Sequence, residues 1–300
     1  MSKTYRLYQV DAFTREKFTG NPAGVITNAD GLTDGQMQRI ARELRHSETA
    51  FLFEPPDDTC DVRIRFFTPT REVPICGHAT VAAHYARARE NALAATRVWQ
   101  KTGAGILPVD IAPVGGDYRI TMTQGTPAIE GVLPEGAQET LAAALGVARR
   151  DIPERFPVAI ATTGHSKVMV ALRDPALLHG LRPDMARLAA LSGEIGCNGF
   201  YAFTLHPGET PLIHGRMFAP AIGIDEDPVT GNANGPLGAY LVHYGLAEHD
   251  GALFAFQAMQ GEALGRTGTM DVRVHVREGR PREVQIVGDA VIVYSAELTL

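Results

Sequence analysis

Arg65-Phe66-Phe67-Thr68-Pro69, running on to Gly77-His78-Ala79, is met a second time as Arg216-Met217-Phe218-Ala219-Pro220, running on to Gly231-Asn232-Ala233. Arg65 and Arg216 lie 151 residues apart and Gly77 and Gly231 lie 154 apart, about half of the 300-residue chain. In each copy a strand-like run ends at a proline, passes through a short loop, and reaches a glycine ahead of small residues and a helix-like segment. Such a junction predicts a helix N-terminus, whose unpaired N–H groups and partial positive charge suit an anion. One junction in each half predicts two helix starts facing a single cleft, shaped for a small anionic metabolite.

Further pairs keep the same order. Met37 in a first helical pattern over Thr33–Leu44 matches Met185 in a second over Pro183–Ile195, and Ser47-Glu48-Thr49-Ala50-Phe51 matches Cys197-Asn198-Gly199-Phe200-Tyr201. Gly20-Asn21-Pro22-Ala23-Gly24 and Gly164-His165-Ser166-Lys167 read as corresponding turns. Internal duplication accounts for this, with a period far too long for a solenoid. Strands are expected at Tyr5–Ala12, Arg63–Phe67, Arg97–Gln100, Gly105–Ile111 and Tyr118–Gln124, with a helix at His78–Arg89. In the second half, Val158–Thr162, Lys167–Leu172, Phe200–Leu205 and Gly215–Phe218 read as strands. Gly235–His243 reads as a helix, and Met270–Val276 and Glu283–Tyr294 as closing strands. Two domains follow, residues 1–130 and 131–300, joined through a Gly/Pro-rich link and a helix near Ala137–Leu145. The final strand is free to return to the first half.

Composition narrows the function classes. Hydrophobic residues make up 45% and charged residues 21%, ordinary for a folded globular chain. A net charge of −6, without a basic block, argues against nucleic acid as a partner. Met1-Ser2-Lys3-Thr4-Tyr5-Arg6 lacks an apolar signal core, and no stretch has the length of a membrane span. Cys60, Cys76 and Cys197 are few and widely spaced, so a disulfide framework or a zinc site is not expected. A reducing cytoplasm is the expected location.

The chemistry-bearing candidates gather at the repeated junctions. Glu48 sits where the first helix gives way to a strand, ahead of Ala50-Phe51-Leu52-Phe53. A carboxylate at the edge of a core suits acid–base work, while a solvated or ion-paired surface Glu explains the same spacing. In Pro74-Ile75-Cys76-Gly77-His78-Ala79-Thr80, Gly77 permits close backbone approach, His78 can titrate near neutrality, and the Ala79 and Thr80 amides can meet an anion. A thiol at a helix start, such as Cys76, can be acidified enough to act as a base. A helix start with a capping His and a small core Cys is the alternative reading. Asp225-Glu226-Asp227-Pro228-Val229-Thr230-Gly231-Asn232-Ala233-Asn234 forms the second wall. It lacks the calcium-loop spacing and the lysine of a phosphate loop. Asn21 and His165, in their turns, are weaker ligand-reaching candidates.

The chain resembles the PhzF-like family of phenazine-biosynthesis-type isomerases. The matching stretches are Val10-Asp11-Ala12-Phe13, Gly20-Asn21-Pro22, Ala41-Arg42-Glu43, Ser47-Glu48-Thr49, Phe67-Thr68-Pro69, Gly77-His78, Phe218-Ala219-Pro220 and Glu226-Asp227-Pro228-Val229-Thr230-Gly231. The resemblance implies an α+β, diaminopimelate epimerase-like fold. Its two pseudo-symmetric halves each curl a mostly antiparallel sheet around a central helix, with the active site between them. It also implies a homodimer and a cofactor-independent, metal-free proton shift on a small carboxylate-bearing metabolite. Glu48 takes the place of the family's acid/base, His78 and Asp227 those of its histidine and aspartate. Gly77, Ala79, Thr80, Gly231, Asn232, Ala233, Asn21 and Cys76 are the expected substrate-binding residues. Two departures stand out: Asn232 occupies the family's serine position, and Cys76 a position filled by Ala in the phenazine enzyme. Cys76-Gly77-His78 is similar to one half-site of the two-cysteine racemases, but the second wall has no cysteine. The alternatives are therefore an epimerase pairing Cys76 with a non-thiol base such as Asp227, or a non-catalytic small-ligand-binding protein on the same scaffold.

Overall fold

The computed structural model describes residues 3–300, so Met1 and Ser2 of the N-terminal reading lie outside it. The described residues divide into two units, one running to Thr123 and joined by Val287–Leu300, the other Gln124–Ile286. The division falls ahead of the boundary expected at residue 130.

In the first unit, β1 (Thr4–Ala12) pairs antiparallel with β2 (Asn21–Ile26), Leu7 opposite Ile26 and Ala12 opposite Asn21. Gly20–Gly24 is thus mostly strand rather than turn, because the bend is completed earlier. Phe13 and Phe18 take positive φ, and the buried Asp11 carboxylate accepts the Phe18 amide at 2.7 Å. Helix α1 (Asp34–Leu44) opens with a reciprocal capping box between Thr33 and Gln36 and buries Met37, Ile40 and Ala41. It closes on Arg45, left-handed at φ 56°, whose N–H bonds the Ala41 carbonyl. Then come β3 (Thr49–Phe53), β4 (Val62–Phe67), the short β5 (Glu72–Val73) and α2 (Gly77–Asn91). A meander of β6 (Thr96–Thr102), β7 (Gly105–Val114) and β8 (Asp117–Thr123) follows.

The second unit begins with β9 (Ala128–Val132), α3 (Glu135–Leu145), β10 (Ala159–Thr162) and β11 (Lys167–Ala171). Next are the short α4 (Pro175–Gly180), α5 (Met185–Ile195), β12 (Phe200–Leu205), β13 (Ile213–Ala219) and β14 (Ile224–Asp227). Helix α6 (Gly231–His243), β15 (Leu253–Gln260), β16 (Gly268–Arg277) and β17 (Arg280–Gly288) complete it. The expected strand Glu283–Tyr294 is interrupted at Asp289. Beyond it β18 (Ala290–Thr299) belongs to the first unit, antiparallel to β1.

The pairings repeat between units. β2 runs parallel to β3, β3 antiparallel to β4, β4 antiparallel to β5 and parallel to β6. In the second unit β11 is parallel to β12, β12 antiparallel to β13, and β13 antiparallel to β14 and parallel to β15. Side chains repeat too. Arg65 grips the Glu72 carboxylate with two bonds of 2.7 and 2.6 Å over the Phe67 ring, and Arg216 grips Glu226 at 2.8 and 2.7 Å over Phe218.

Each unit wraps its sheet around one helix, α2 or α6. Both are buried on nearly every side, as an Ala- and Gly-rich helix permits and an amphipathic one would not. A side chain at Gly238 of α6 would run into Val272, Val274 and Phe256. Helix α6 starts at Gly231, four residues before the expected Gly235. Pro236 lies inside the second turn, where it withholds only the N–H that would meet Asn232 O.

Candidate functional site

Two chain segments of the first unit, the approach to β3 and the start of α2, place Glu48, His78 and Cys76 together. Arg45 ends α1 in a left-handed cap, so Ser47 and Glu48 form the short approach to β3, which Thr49 anchors opposite Gly24 and Phe67. The Glu48 side chain is 13% exposed and its Oε2 lies 3.6 Å from Nε2 of His78, itself 6% exposed. Ser47 Oγ is 3.3 Å from the same nitrogen, and Cys76 Sγ is 3.3 Å from His78 Nδ1. The imidazole is pushed below its usual 6.5 by burial first, with Glu48 opposing and His46 adding to the shift. Cys76 Sγ is also 4.0 Å from Nε2, so the thiol lies over the ring and not in line with either nitrogen, and a neutral Nε2–H is the state that suits an ionised Glu48. Cys76 makes no capping bond, so the first-turn amides of Gly77, His78 and Ala79 remain open to an anion. Thr80 does not share that role, because its amide and hydroxyl both bond the Cys76 carbonyl, at 3.0 and 2.7 Å.

The second unit holds Asp227 in a buried polar network. Thr230 donates to Asp227 Oδ2 at 2.5 Å, and Gln260 Nε2 donates to Asp227 O at 2.7 Å and Thr230 Oγ1 at 3.0 Å. Asn234, held by Tyr201 at 2.6 Å, donates to the Thr230 carbonyl and to Gln260. Thr230 gives no side-chain cap, leaving the Gly231 and Asn232 amides open, whereas the Ala233 amide is taken by Thr230 O at 3.1 Å. Asn232 Oδ1 accepts from Gln124 at 3.2 Å, so the residue at the family's serine position works as an anchored amide. Lys167 is buried and its pKa is lowered by burial, against the attraction of Cys197 and Asp227.

Thr80 and Ala233, expected as anion donors, are therefore spent inside their own helices. Asn21 is fully buried on the first residue of β2, within the sheet instead of at a turn apex. Ser47, Gln260 and Lys167 are site neighbours that pattern reading passed over as partners. Ser47 sits beside Glu48 in a quoted motif and was legible. Gln260 lies 33 residues from Asp227, a pairing no local signal announces. The ligand atoms of Glu48, Cys76 and His78 lie within 4.8 Å of one another, a spacing that would also fit a metal ion. Cys197 is fully buried and donates to the Gly199 carbonyl, and Asn198 stands where the first unit has Glu48.

The carboxylate, the neutral imidazole and the thiol at an uncapped helix start thus lie together on an α+β, diaminopimelate epimerase-like scaffold. The sequence profile described as "Phenazine biosynthesis-like protein" matches residues 10–296, and the chain belongs to this PhzF-like family. It is 57% identical to an uncharacterized isomerase of Clostridium acetobutylicum over the full length of both chains. It is 32% identical to the trans-2,3-dihydro-3-hydroxyanthranilate isomerase of Pseudomonas chlororaphis, covering 94% of this chain and 95% of that one. A PhzF-family protein of Bacillus anthracis superimposes with a TM-score of 0.89 at 32% identity, covering 99% of this chain and 100% of that one. Among the described residues, no helix is long and apolar enough to cross a membrane.

Proposed function

We propose that this chain is a proton-shifting isomerase of a small carboxylate-bearing metabolite, working without a cofactor, with Glu48 as its acid/base. The observation that carries the reading is the largely buried Glu48 carboxylate, 3.6 Å from an imidazole kept neutral by burial, beside a helix start with open amides. Glu48 takes a proton from one carbon of the substrate, and the electron pair moves into the adjoining unsaturated system. The same group returns a proton to a second carbon, so a double bond migrates and composition is unchanged. His78 holds the carboxylate in place by its neutral donor, and the helix amides hold the substrate's anionic group. Asp227 takes the assisting role implied by the family motif, and the protein acts as a homodimer. The relatives' name offers trans-2,3-dihydro-3-hydroxyanthranilate as a first compound to try, although Asn232 supplies no hydroxyl at the serine position.

One correctly placed general base contributes about 10²–10⁴-fold, so Glu48→Gln should lose that factor in turnover. Deuterium wash-in from D₂O, run on a panel of small unsaturated acids, reads the step directly. Exchange as fast in Glu48→Gln as in the native protein removes Glu48 from the chemistry.

The 3.3 Å approach of Cys76 Sγ to His78 Nδ1 favours a second reading, an epimerase using the thiol. It requires that Cys76→Ala abolish turnover and that a stereocentre invert. Full activity in Cys76→Ala excludes it.

A further inference from the structure

We infer that His179, His214 and Glu262, in the second unit, form a binding site for a divalent transition cation of the zinc class. Each residue comes from a different element, and the ligand atoms lie within 4.8 Å of one another. His214 is on β13, His179 in the last turn of α4, and Glu262 just past the end of β15 in a single 3₁₀ turn, Glu262–Leu264. Strand register explains the meeting of two of them. Parallel pairing sets His214 opposite Met259 and Gly215 opposite Gln260, so the chain leaving β15 passes beside His214. Gly261, left-handed at φ 89°, then turns Glu262 towards the ring, and its Oε2 reaches His214 Nδ1 at 2.8 Å.

The third residue is brought in by Arg216. It lies two positions after His214 and therefore on the same face of β13. Its guanidinium, fixed by Glu226, donates to the carbonyls of Leu178 at 3.0 Å, His179 at 3.4 Å and Leu181 at 3.0 Å. That grip clamps the end of α4 against the strand carrying His214. Behind His214, the ring of His206 packs at 4.9 Å, held by Thr204, the residue directly opposite His214 in β12. The His214 and Glu262 side chains are 20% and 28% exposed, so a cation can enter from solvent and keep a water as fourth ligand.

Two imidazoles and one carboxylate suit zinc, cobalt(II) or nickel(II); calcium and magnesium prefer all-oxygen shells. Zinc at about 2.0–2.1 Å from each donor holds neighbouring donors about 3.4 Å apart. Small side-chain rotations reach that spacing from the present one. None of the three residues takes part in the Glu48 cluster or the Asp227 network, so the site stands apart from the proposed acid/base chemistry.

The test uses the full chain, stripped with EDTA and titrated with zinc and, separately, cobalt(II). The expected result is one tight equivalent carried by nitrogen and oxygen ligands, with a cobalt spectrum free of thiolate charge transfer. His214→Ala and Glu262→Gln should each weaken that equivalent at least about tenfold, with native circular dichroism, and Cys76→Ala should leave it intact. His179→Ala, a change at the half-exposed end of a short helix, gives the same readout where a strand variant fails to fold. No uptake below millimolar zinc, uptake undiminished in His179→Ala and Glu262→Gln, or uptake lost in Cys76→Ala with a thiolate band would each overturn the assignment.

Discussion

His78 has two neighbours that ask different things of it, and its protonation state decides which one prevails. Burial holds its pKa below the usual 6.5, so at neutral pH the ring is uncharged and Glu48 keeps a neutral donor beside it. Only as pH falls below 6.5 towards that lowered value does the ring gain a proton and become a cation facing the carboxylate. An imidazolium would tie up Glu48 as an ion pair, so kcat/KM should fall on the acid side through this titration. His78→Gln keeps an uncharged N–H donor with no titration of its own. It is expected to retain activity at neutral pH and to lose the part of the acid limb that His78 supplies, read from pH–rate profiles of the two proteins. The residues behind this prediction are legible because Ser47-Glu48 and Gly77-His78 lie in stretches that carry the family resemblance. The network around Asp227 is not, because Gln260, Tyr201 and Asn234 meet only after the sheet has formed.

At the scale of the element, the paired Arg65 and Arg216 grips show how one duplicated device came to differ in energetic weight. Arg216 and Glu226 are 7% and 11% exposed, while Arg65 shares its charge between Glu72 at 44% and Asp34 at 80%. Removing one partner of a buried pair strands the other, a loss of about 3–5 kcal/mol, whereas exposed pairs contribute about 0–1 kcal/mol. Arg216→Met should therefore lower the unfolding free energy read from urea titrations far more than Arg65→Met, by a margin on the order of 3 kcal/mol.

A second element-scale prediction concerns His84, buried in the middle of α2. Its Nε2 meets Gln100 Oε1 at 3.0 Å, its Nδ1 has no hydrogen-bond partner, and burial lowers its pKa to about 4. The unfolded chain, near 6.5, binds this proton more readily than the folded one, so stability declines as pH drops from 6.5 towards 4 and levels off below. The full span is on the order of 3 kcal/mol. His84→Gln, which can still meet Gln100, should flatten that part of the stability–pH curve in urea titrations.

Element reading itself succeeded where period and cap agreed, as in α1 with its Thr33 cap. It failed where context overrode local signals. Helix α6 runs four residues ahead of the expected Gly235, turn-like Gly20–Gly24 carries the start of β2, and β15 is an unexpected strand although Leu253–Gln260 buries alternate residues.

For the molecule as a whole, the decisive feature is the pairing of β18 with β1, from Thr4 opposite Thr299 to Ala12 opposite Ala290. Deleting residues 290–300 should leave β1 without this neighbour and α2 partly uncovered, while residues 124–286 keep every strand of their own unit. Limited proteolysis of the shortened chain is expected to digest the first unit and spare a fragment beginning near Gln124; equal survival of both would show that β18 is dispensable. The same pairing sets a timetable during synthesis. Ribosomes add about 5–20 residues per second, so β1 emerges early and waits for tens of seconds until the strand that completes its unit has been made. The second unit is contiguous and can close meanwhile. The half that carries Glu48 and His78 is thus begun first and finished last, and its sheet edge is a natural client for whatever chaperone meets the nascent chain.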